Sequence, residues 1–162
     1  MVASTSELGP AAVCPQDFTR FVAAVEPRLR RALMATYGPA RGREATAEAL
    51  AWAWEHRDRL EELTNPVAYL YRVGRSRTRP RLRTFLPDPP EAHHELWVEP
   101  ELLGALKALT ERQRVAVVLV HVYGWSLVEV GALLDLKATT VQNHVQRGLE
   151  RLRRRLEVGD GD

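Results

Sequence analysis

The chain has 162 residues, of which 45% are hydrophobic and 27% charged, a composition that supports one or two packed domains and excludes a disordered polymer. The formal net charge is only +2, so overall charge does not indicate a nucleic-acid partner. Whether the chain binds nucleic acid must be judged from the local distribution of charge. The longest apolar run, Val115 to Val120, is far shorter than the roughly 20 residues that cross a bilayer, and we expect a cytoplasmic protein that does not enter the membrane.

Basic residues are concentrated in two parts of the chain. Residues 18–79 contain twelve Arg against seven acidic residues, and residues 101–158 contain nine basic against six acidic residues. We predict two small helical domains in these ranges, joined by a Pro-rich linker at 80–100. A flexible tail at 1–17 and an acidic tail at 159–162 flank them.

The first domain is predicted to contain three helices. Apolar residues recur at three- and four-residue steps over 18–38, and Pro27 is expected to bend or split this helix. A second helix spans about 44–60 in an Ala-rich background. Asn65 is a good N-cap, and the proline after it favours a third helix over about 67–77. The side chains expected to face inward on the second and third helices are Leu50, Trp52, Trp54, Tyr69, Leu70 and Val73.

Two capping boxes mark helix starts in the second domain. In each, a hydroxyl residue is followed three positions later by Gln or Glu, as in Thr110 with Gln113 and Ser126 with Glu129. Residues 115–122 are rich in β-branched side chains and would alone suit a strand. The cap that precedes them favours a buried helix instead.

The end of the second domain has the pattern of a helix-turn-helix. A short helix at 126–134 and a turn at Asp135 precede a longer helix at about 139–156. One face of the longer helix is apolar and is predicted to be buried: Val141, Val145, Leu149, Leu152 and Leu156. The rest is polar, suited to base edges and phosphates in a major groove, and its predicted DNA-binding residues are Thr139, Thr140, Gln142, Asn143, Gln146, Arg147, Arg151 and Arg154. A plain helical hairpin with a solvated outer face is the alternative.

Six arginines occur in the twelve residues that begin at Arg72, with no acidic residue among them. Such a run usually indicates phosphate binding. Arg72, Arg75 and Arg79 fall within an arc of about 100° on a helix, and we predict that these three contact DNA. Tyr69 and Tyr71 lie beside them and are suited to stacking on unpaired bases. The alternative is a solvated basic helix end.

No catalytic, metal or cofactor site is predicted. Neighbours in a chain rarely share one tetrahedral ion, so His93-His94-Glu95 is a poor ligand set. Cys14 has no dedicated His or Asp arrangement to activate it, and His121 is expected to be a core histidine. Trp97 is predicted to dock onto a neighbouring domain. Paired carboxylates and a glycine-rich phosphate loop are both lacking, which indicates a protein that is not an enzyme.

Several motifs closely resemble the extracytoplasmic-function sigma factors, a family of small two-domain sigma factors. The region 4 motifs are Leu109-Thr-Glu-Arg-Gln-Arg-Val-Ala-Val-Val-Leu, Tyr123-Gly-Trp-Ser-Leu-Val-Glu-Val-Gly-Ala-Leu-Leu and Thr140-Val-Gln-Asn-His-Val-Gln-Arg-Gly-Leu-Glu-Arg-Leu-Arg. Two further motifs look like region 2: Trp54-Glu-His-Arg-Asp-Arg-Leu and Asn65-Pro-Val-Ala-Tyr-Leu-Tyr-Arg-Val-Gly-Arg-Ser-Arg. The resemblance implies an all-α sigma factor that confers promoter recognition on bacterial RNA polymerase.

The resemblance also implies partners. They are core RNA polymerase and promoter DNA, with region 2 gripping polymerase and reading the minus-ten element while region 4 reads minus-thirty-five. An anti-sigma factor is a further candidate partner. Glu44, Glu48 and Trp52 are the residues that it places at the polymerase. The recognition helix also resembles that of LuxR-type regulators, so an autonomous helix-turn-helix regulator is the alternative function.

The motifs differ from the family pattern at several places. Residues 41–48 keep only two acids of the usual acidic segment, and Ser76 replaces an Asn. Asp135 replaces the turn glycine, but Asp tolerates left-handed geometry. Gln142-Asn143-His144 replaces a common Lys-Ser-Arg, which is expected to weaken the salt-dependent part of DNA binding and to leave hydrogen-bond readout intact.

Overall fold

The computed structural model describes residues 15–78 and 100–159, which fold into seven α-helices. The first group of helices is α1 (Pro15–Tyr37), α2 (Pro39–Glu55) and α3 (Pro66–Arg77), and the second is α4 (Pro100–Lys107), α5 (Glu111–Val117), α6 (Leu127–Leu134) and α7 (Ala138–Gly159). A 3-10 turn, Arg57–Glu62, follows α2, and a π turn, Val118–Val122, continues α5. No strand occurs in the described ranges, and the predicted all-α class is confirmed.

Several sequence predictions lie outside the described residues. They concern most of the linker and most of both tails, and with them Cys14, Arg79, His93, His94, Glu95 and Trp97. The domain bounds therefore stay predictions.

The first helix runs through Pro27 as one α-helix, so the predicted alternative of a split helix is wrong. Its apolar face packs against α2 and α3, with Leu29 and Leu33 fully buried. Tertiary packing of an amphipathic face supplies most of a helix's stability in proteins. It outweighs the local loss of one backbone hydrogen bond at proline.

The second helix begins and ends earlier than predicted. Gly38 has φ of 83° and Pro39 is the first helical residue, so α1 and α2 are joined by a single residue. A left-handed φ is accessible to glycine at no steric cost, which permits this sharp reversal. The helix ends at Glu55, and the predicted end near Leu60 is replaced by the 3-10 turn.

Small residues form the buried face of α2. Ala45, Ala49 and Ala53 are fully buried, whereas Trp54 is 45% exposed. The prediction that Trp54 faces inward is therefore wrong. On α3 the fully buried aromatic is Tyr71, next to the buried Leu70, rather than the predicted Tyr69. Alanine lets α2 approach its neighbours closely, which leaves no space for an indole on that face.

In the second group of helices, two side chains that were predicted to be buried are exposed. His121 is exposed, not in the core, because it lies in the π turn, where the wider spacing shifts which side chains face inward. Leu156 is 38% exposed, not buried. The 22-residue α7 is much longer than α4 and α5, so its C-terminal turns extend past the helices that would cover them.

The two groups of helices pack against each other. One continuous cluster of buried side chains includes Leu33 and Leu70 from the first group and Leu119, Trp125 and Val130 from the second. None of the described helices is long and apolar enough to cross a membrane. In this packing α1 contacts α5 and the π turn, and α3 contacts α6, the first helix of the helix-turn-helix.

Candidate nucleic-acid interface

The helix-turn-helix predicted from the sequence is present in α6 and α7. The first helix, α6, begins at the predicted capping box. The Glu129 backbone N–H donates to Ser126 Oγ at 3.2 Å, and the Ser126 N–H donates to Glu129 Oε2 at 2.9 Å. Asp135 ends α6 with φ of 56°, in the left-handed region. A Cβ at Gly131 would lie 2.5 Å from the Leu136 carbonyl oxygen, so only glycine permits this tight turn.

The recognition helix α7 separates its apolar and polar side chains as predicted. Val141 is fully buried, and Val145 and Leu152 are each 7% exposed, while Thr140 is half-buried. The exposed members of the predicted DNA-binding set are Thr139, Gln142, Asn143, Gln146, Arg147, Arg151 and Arg154. A contiguous solvent-facing surface of amides, hydroxyls and guanidiniums is available near the N-terminal half of the helix, where base readout is usual.

Two of the predicted arginines already have partners within the protein. Arg151 donates through Nη1 to Gln113 Oε1 at 3.4 Å, and Arg154 donates through Nε to the Glu150 carbonyl oxygen at 3.4 Å. Gln113 is the buried partner in the capping box of α5. Arg151 therefore reaches back toward the domain, in contrast to Arg147 on the exposed surface.

His144 lies on the recognition helix beside two cations. Burial and the charges of Arg112 and Arg147 lower its pKa below the usual 6.5. The imidazole is therefore neutral at pH 7 and adds no charge to the phosphate contacts. Sequence reasoning did not single out Arg112, although its position just after the Thr110 cap places it at a helix N-terminus beside α7.

The predicted DNA-binding arginines of the first group are placed differently. Arg72 is exposed, with its guanidinium 6.0 Å from the Tyr69 ring centroid. Arg75 donates through Nη2 to Glu111 Oε1 of α5 at 2.8 Å and also lies 5.7 Å from the Tyr71 ring centroid. The structure thus pairs Arg75 with the second group of helices and leaves Arg72 on the surface.

Tyr71 does not provide the base-stacking platform that the sequence suggested. Its ring is 1% exposed, and its hydroxyl lies 2.7 Å from the Thr36 hydroxyl. Burial raises the pKa of the Tyr71 phenol above its usual value of 10. A side chain enclosed in the core is not accessible to a base, so this part of the prediction is wrong, while Tyr69 remains partly exposed.

The residues predicted to contact polymerase lie on α2. Glu44 and Glu48 are exposed and four residues apart, hence on one side of the helix. Trp52, four residues further, is half-buried and stacks on His56 at 4.2 Å and against Tyr69 at 5.2 Å between ring centroids. The two acids are accessible to a partner, and the indole belongs partly to the domain's own packing.

Sequence reasoning missed an exposed aromatic site on the same helix. Trp54 meets Phe18 edge-on at 4.9 Å between ring centroids, and the Arg57 guanidinium lies 4.8 Å from the Trp54 ring. No periodicity signal separates this tryptophan from Trp52, because both lie in an alanine-rich helix.

The second group of helices matches a known family. Residues 100–152 match the family model described as Sigma-70, region 4. The chain is 37% identical over 67 residues to the ECF RNA polymerase sigma factor SigE of Mycolicibacterium smegmatis, and this match covers 41% of this chain and 26% of that relative. The chain thus spans about a quarter of the relative's length.

The fold is also that of a solved sigma factor. The chain superposes with a TM-score of 0.65 on the sigma factor RpoE of Bartonella quintana, whose co-crystal structure includes the anti-sigma factor NepR; the two are 21% identical, and the match covers 88% of this chain and 98% of that one. The family model, the relative and the fold agree with the motifs quoted above. Residues 100–152 therefore form a sigma-70 region 4 domain, and the resemblance of this chain to the extracytoplasmic-function sigma factors is confirmed.

Proposed function

We propose that the protein is a sigma factor that gives bacterial RNA polymerase its promoter specificity. The observation that carries this proposal is the exposed polar surface of α7 within a region 4 domain. Asn143 and Gln146 have the donor and acceptor pattern that pairs with adenine, and Arg147 has the fork that pairs with guanine. The surface is available in the structure without rearrangement of the domain.

The first group of helices supplies the polymerase contact in this proposal. Glu44 and Glu48 offer two exposed carboxylates on one side of α2, suited to a basic surface on the core enzyme. Arg72 and Arg75 are the described arginines proposed for promoter DNA around the minus-ten element. The protein would contribute binding and no chemistry, in the cytoplasm, where the polymerase works.

An anti-sigma factor is a further proposed partner. Support comes from the fold: the sigma factor with the same fold was crystallised with one. An autonomous LuxR-like regulator is less well supported, because the fold similarity extends over 88% of this chain and therefore includes helices outside the helix-turn-helix.

The decisive experiment is run-off transcription with purified core polymerase. Templates carry randomised minus-thirty-five and minus-ten segments, and transcribed templates are recovered and sequenced with and without the protein. We expect transcripts that depend on the protein and share two sequence elements. If no template is transcribed, and the protein binds duplex DNA equally well with and without polymerase, it is an autonomous regulator instead.

A further inference from the structure

Helices α5 and α7 cross at Gly148, too closely for a side chain to lie between them. A Cβ at this position would lie 2.7 Å from Val117 Cγ2 and 3.6 Å from Gln113 Cβ. His144 precedes Gly148 by about one helical turn, and Arg112 precedes Gln113 by one residue. The crossing therefore brings an imidazole of the recognition helix beside a guanidinium of a different helix.

His144 lies at the border between the buried and the DNA-facing sides of α7. Around the helix axis it is about 60° from Arg147 and about 60° from Val141, which is fully buried. The side chain of His144 is half-buried, whereas those of Arg112 and Arg147 are exposed. The imidazole is therefore accessible to a group that binds at the two arginines.

The charges that act on His144 come from two helices. Burial, and then the charges of Arg112 on α5 and Arg147 on α7, lower the pKa of His144. No other charged residue of the helices that pack against α7 contributes to this shift; these residues are Glu101, Lys107, Glu111, Arg114, Glu129 and Asp135. The surroundings of the imidazole thus contain two cations and no compensating carboxylate.

The two arginines are suited to an anion. Within the described residues, neither Arg112 nor Arg147 forms an ion pair or a side-chain hydrogen bond. Guanidiniums bind phosphate oxygens well, and a DNA backbone supplies them. The negative charge of a phosphate offsets the two positive charges and favours the protonated form of the imidazole beside them. A protonated imidazole donates from both ring nitrogens and becomes a third cation at the same phosphate.

We propose that, below pH 7, a DNA phosphate bound by Arg112 and Arg147 causes His144 to take up a proton from solvent, so that mild acid tightens DNA binding by this domain. In the free protein, burial and the two cations oppose protonation. The bound phosphate removes part of this opposition. By linkage, a ligand that raises the proton affinity of a group binds more tightly as the pH falls. The inference rests on the proposed function only in its assignment of α7 to DNA.

The test fixes the charge at position 144 in two ways. His144→Gln keeps the side chain neutral at every pH, and His144→Arg keeps it positive. The matched control is His121→Gln, which makes the same neutral change at the exposed histidine of the π turn. Far-UV circular dichroism at each pH confirms that the variants are folded.

Fluorescence anisotropy with the full chain measures affinity for a 20-base-pair duplex of random sequence, between pH 8 and pH 5.5, in phosphate-free buffers of constant ionic strength. We expect the parent and His121→Gln to bind about three- to tenfold more tightly at pH 5.5 than at pH 8, the effect of about one phosphate charge at contact distance in water. His144→Gln should match the parent at pH 8 and lose most of this gain. His144→Arg should already bind more tightly than the parent at pH 8.

An NMR titration of the imidazole nitrogens follows His144 directly. The duplex should raise the pKa of His144 in the parent. Arg112→Gln should raise it in the free protein, because one of the two cations that lower this pKa is removed. Arg153→Gln should not, since Arg153 is exposed on the opposite side of α7.

The outcomes separate this inference from the proposed function. A pH dependence that survives His144→Gln unchanged overturns the inference, as does a pKa of His144 that does not rise with the duplex. If the parent binds the duplex at no pH, the assignment of α7 to DNA and this inference both fail. A failed run-off assay, with a pH dependence that His144→Gln abolishes, would reject the sigma-factor function and leave this inference standing.

Discussion

Helices α3 and α7 both carry arginines that the sequence analysis predicts to bind DNA, but the two helices differ in whether these arginines already have partners within the protein. On α7 the apolar side chains are buried and Arg147 remains in solvent. On α3 a buried Tyr71 lies next to Arg72, and Arg75 pairs with Glu111 of the other group. Charge in a sequence indicates where phosphate binding is possible, but the partner that a charge already has decides whether it is available.

The largest loss of stability is expected from a substitution on the buried face of α7. Val141→Asp places a carboxylate where the side chain is fully buried, and an uncompensated buried charge costs about 3–5 kcal/mol. Gln142→Asp introduces the same group one position later on the exposed side and should change stability by less than about 0.5 kcal/mol. Urea unfolding measures both. Equal losses would mean that the two faces of α7 are assigned wrongly.

Arg147→Ala should weaken specific DNA binding by about 1–3 kcal/mol if the side chain reads a base. Its melting temperature should not change, because no part of the domain depends on this guanidinium in the structure. Arg75→Ala provides the contrast from α3: it should lower the melting temperature slightly, because its bond to Glu111 is lost. Binding titrations and thermal melts of both variants measure these effects. A lower melting temperature for Arg147→Ala but not for Arg75→Ala would contradict the prediction.

Gly74 tests how tightly α3 is held against its own group. A Cβ at this position would lie 2.9 Å from the Ala45 carbonyl oxygen and 3.1 Å from Leu33 Cδ1. Overpacking costs about 1–3 kcal/mol, partly offset by a gain of about 1 kcal/mol in helix propensity, so Gly74→Ala should destabilise by up to about 2 kcal/mol. Gly104→Ala meets nothing within 4 Å and should stabilise. Stabilisation at both positions would show that α3 has room to move.

The smallest change in stability is expected at Glu129, whose carboxylate belongs to the capping box of α6 and also accepts a hydrogen bond from Arg28. Hydrogen bonds from the Ser126 backbone and from Arg28 lower the pKa of Glu129 from 4.5 to about 2. A lowered pKa stabilises the fold above about pH 4.5, and this stabilisation is lost as the pH falls from 4.5 toward 2. The difference in melting temperature between the parent and Glu129→Gln should therefore be largest near pH 7 and shrink below pH 4.5. A difference that does not change with pH would contradict this assignment.

Local chemistry made the helix-turn-helix predictable. The two capping boxes, the Asn65 N-cap and the left-handed Asp135 depend on residues within a few positions of each other, so the sequence contains all the information that they need. The same holds for Val141 and Val145, since a helix with one apolar stripe has one way to bury it. The motifs of region 4 were recognisable for the same reason.

Other features depend on residues far apart in the chain, and only the tertiary structure decided them. Trp54 is exposed because alanines fill the contact between α2 and its neighbours. The hydroxyl of the buried Tyr71 lies 2.7 Å from the hydroxyl of Thr36, 35 residues away. The pairing of Arg75 with Glu111 spans 36 residues, and that of Arg28 with Glu129 spans 101. Periodicity reports which side of a helix is apolar, whereas such pairs depend on how two groups of helices dock, a property that no local pattern contains.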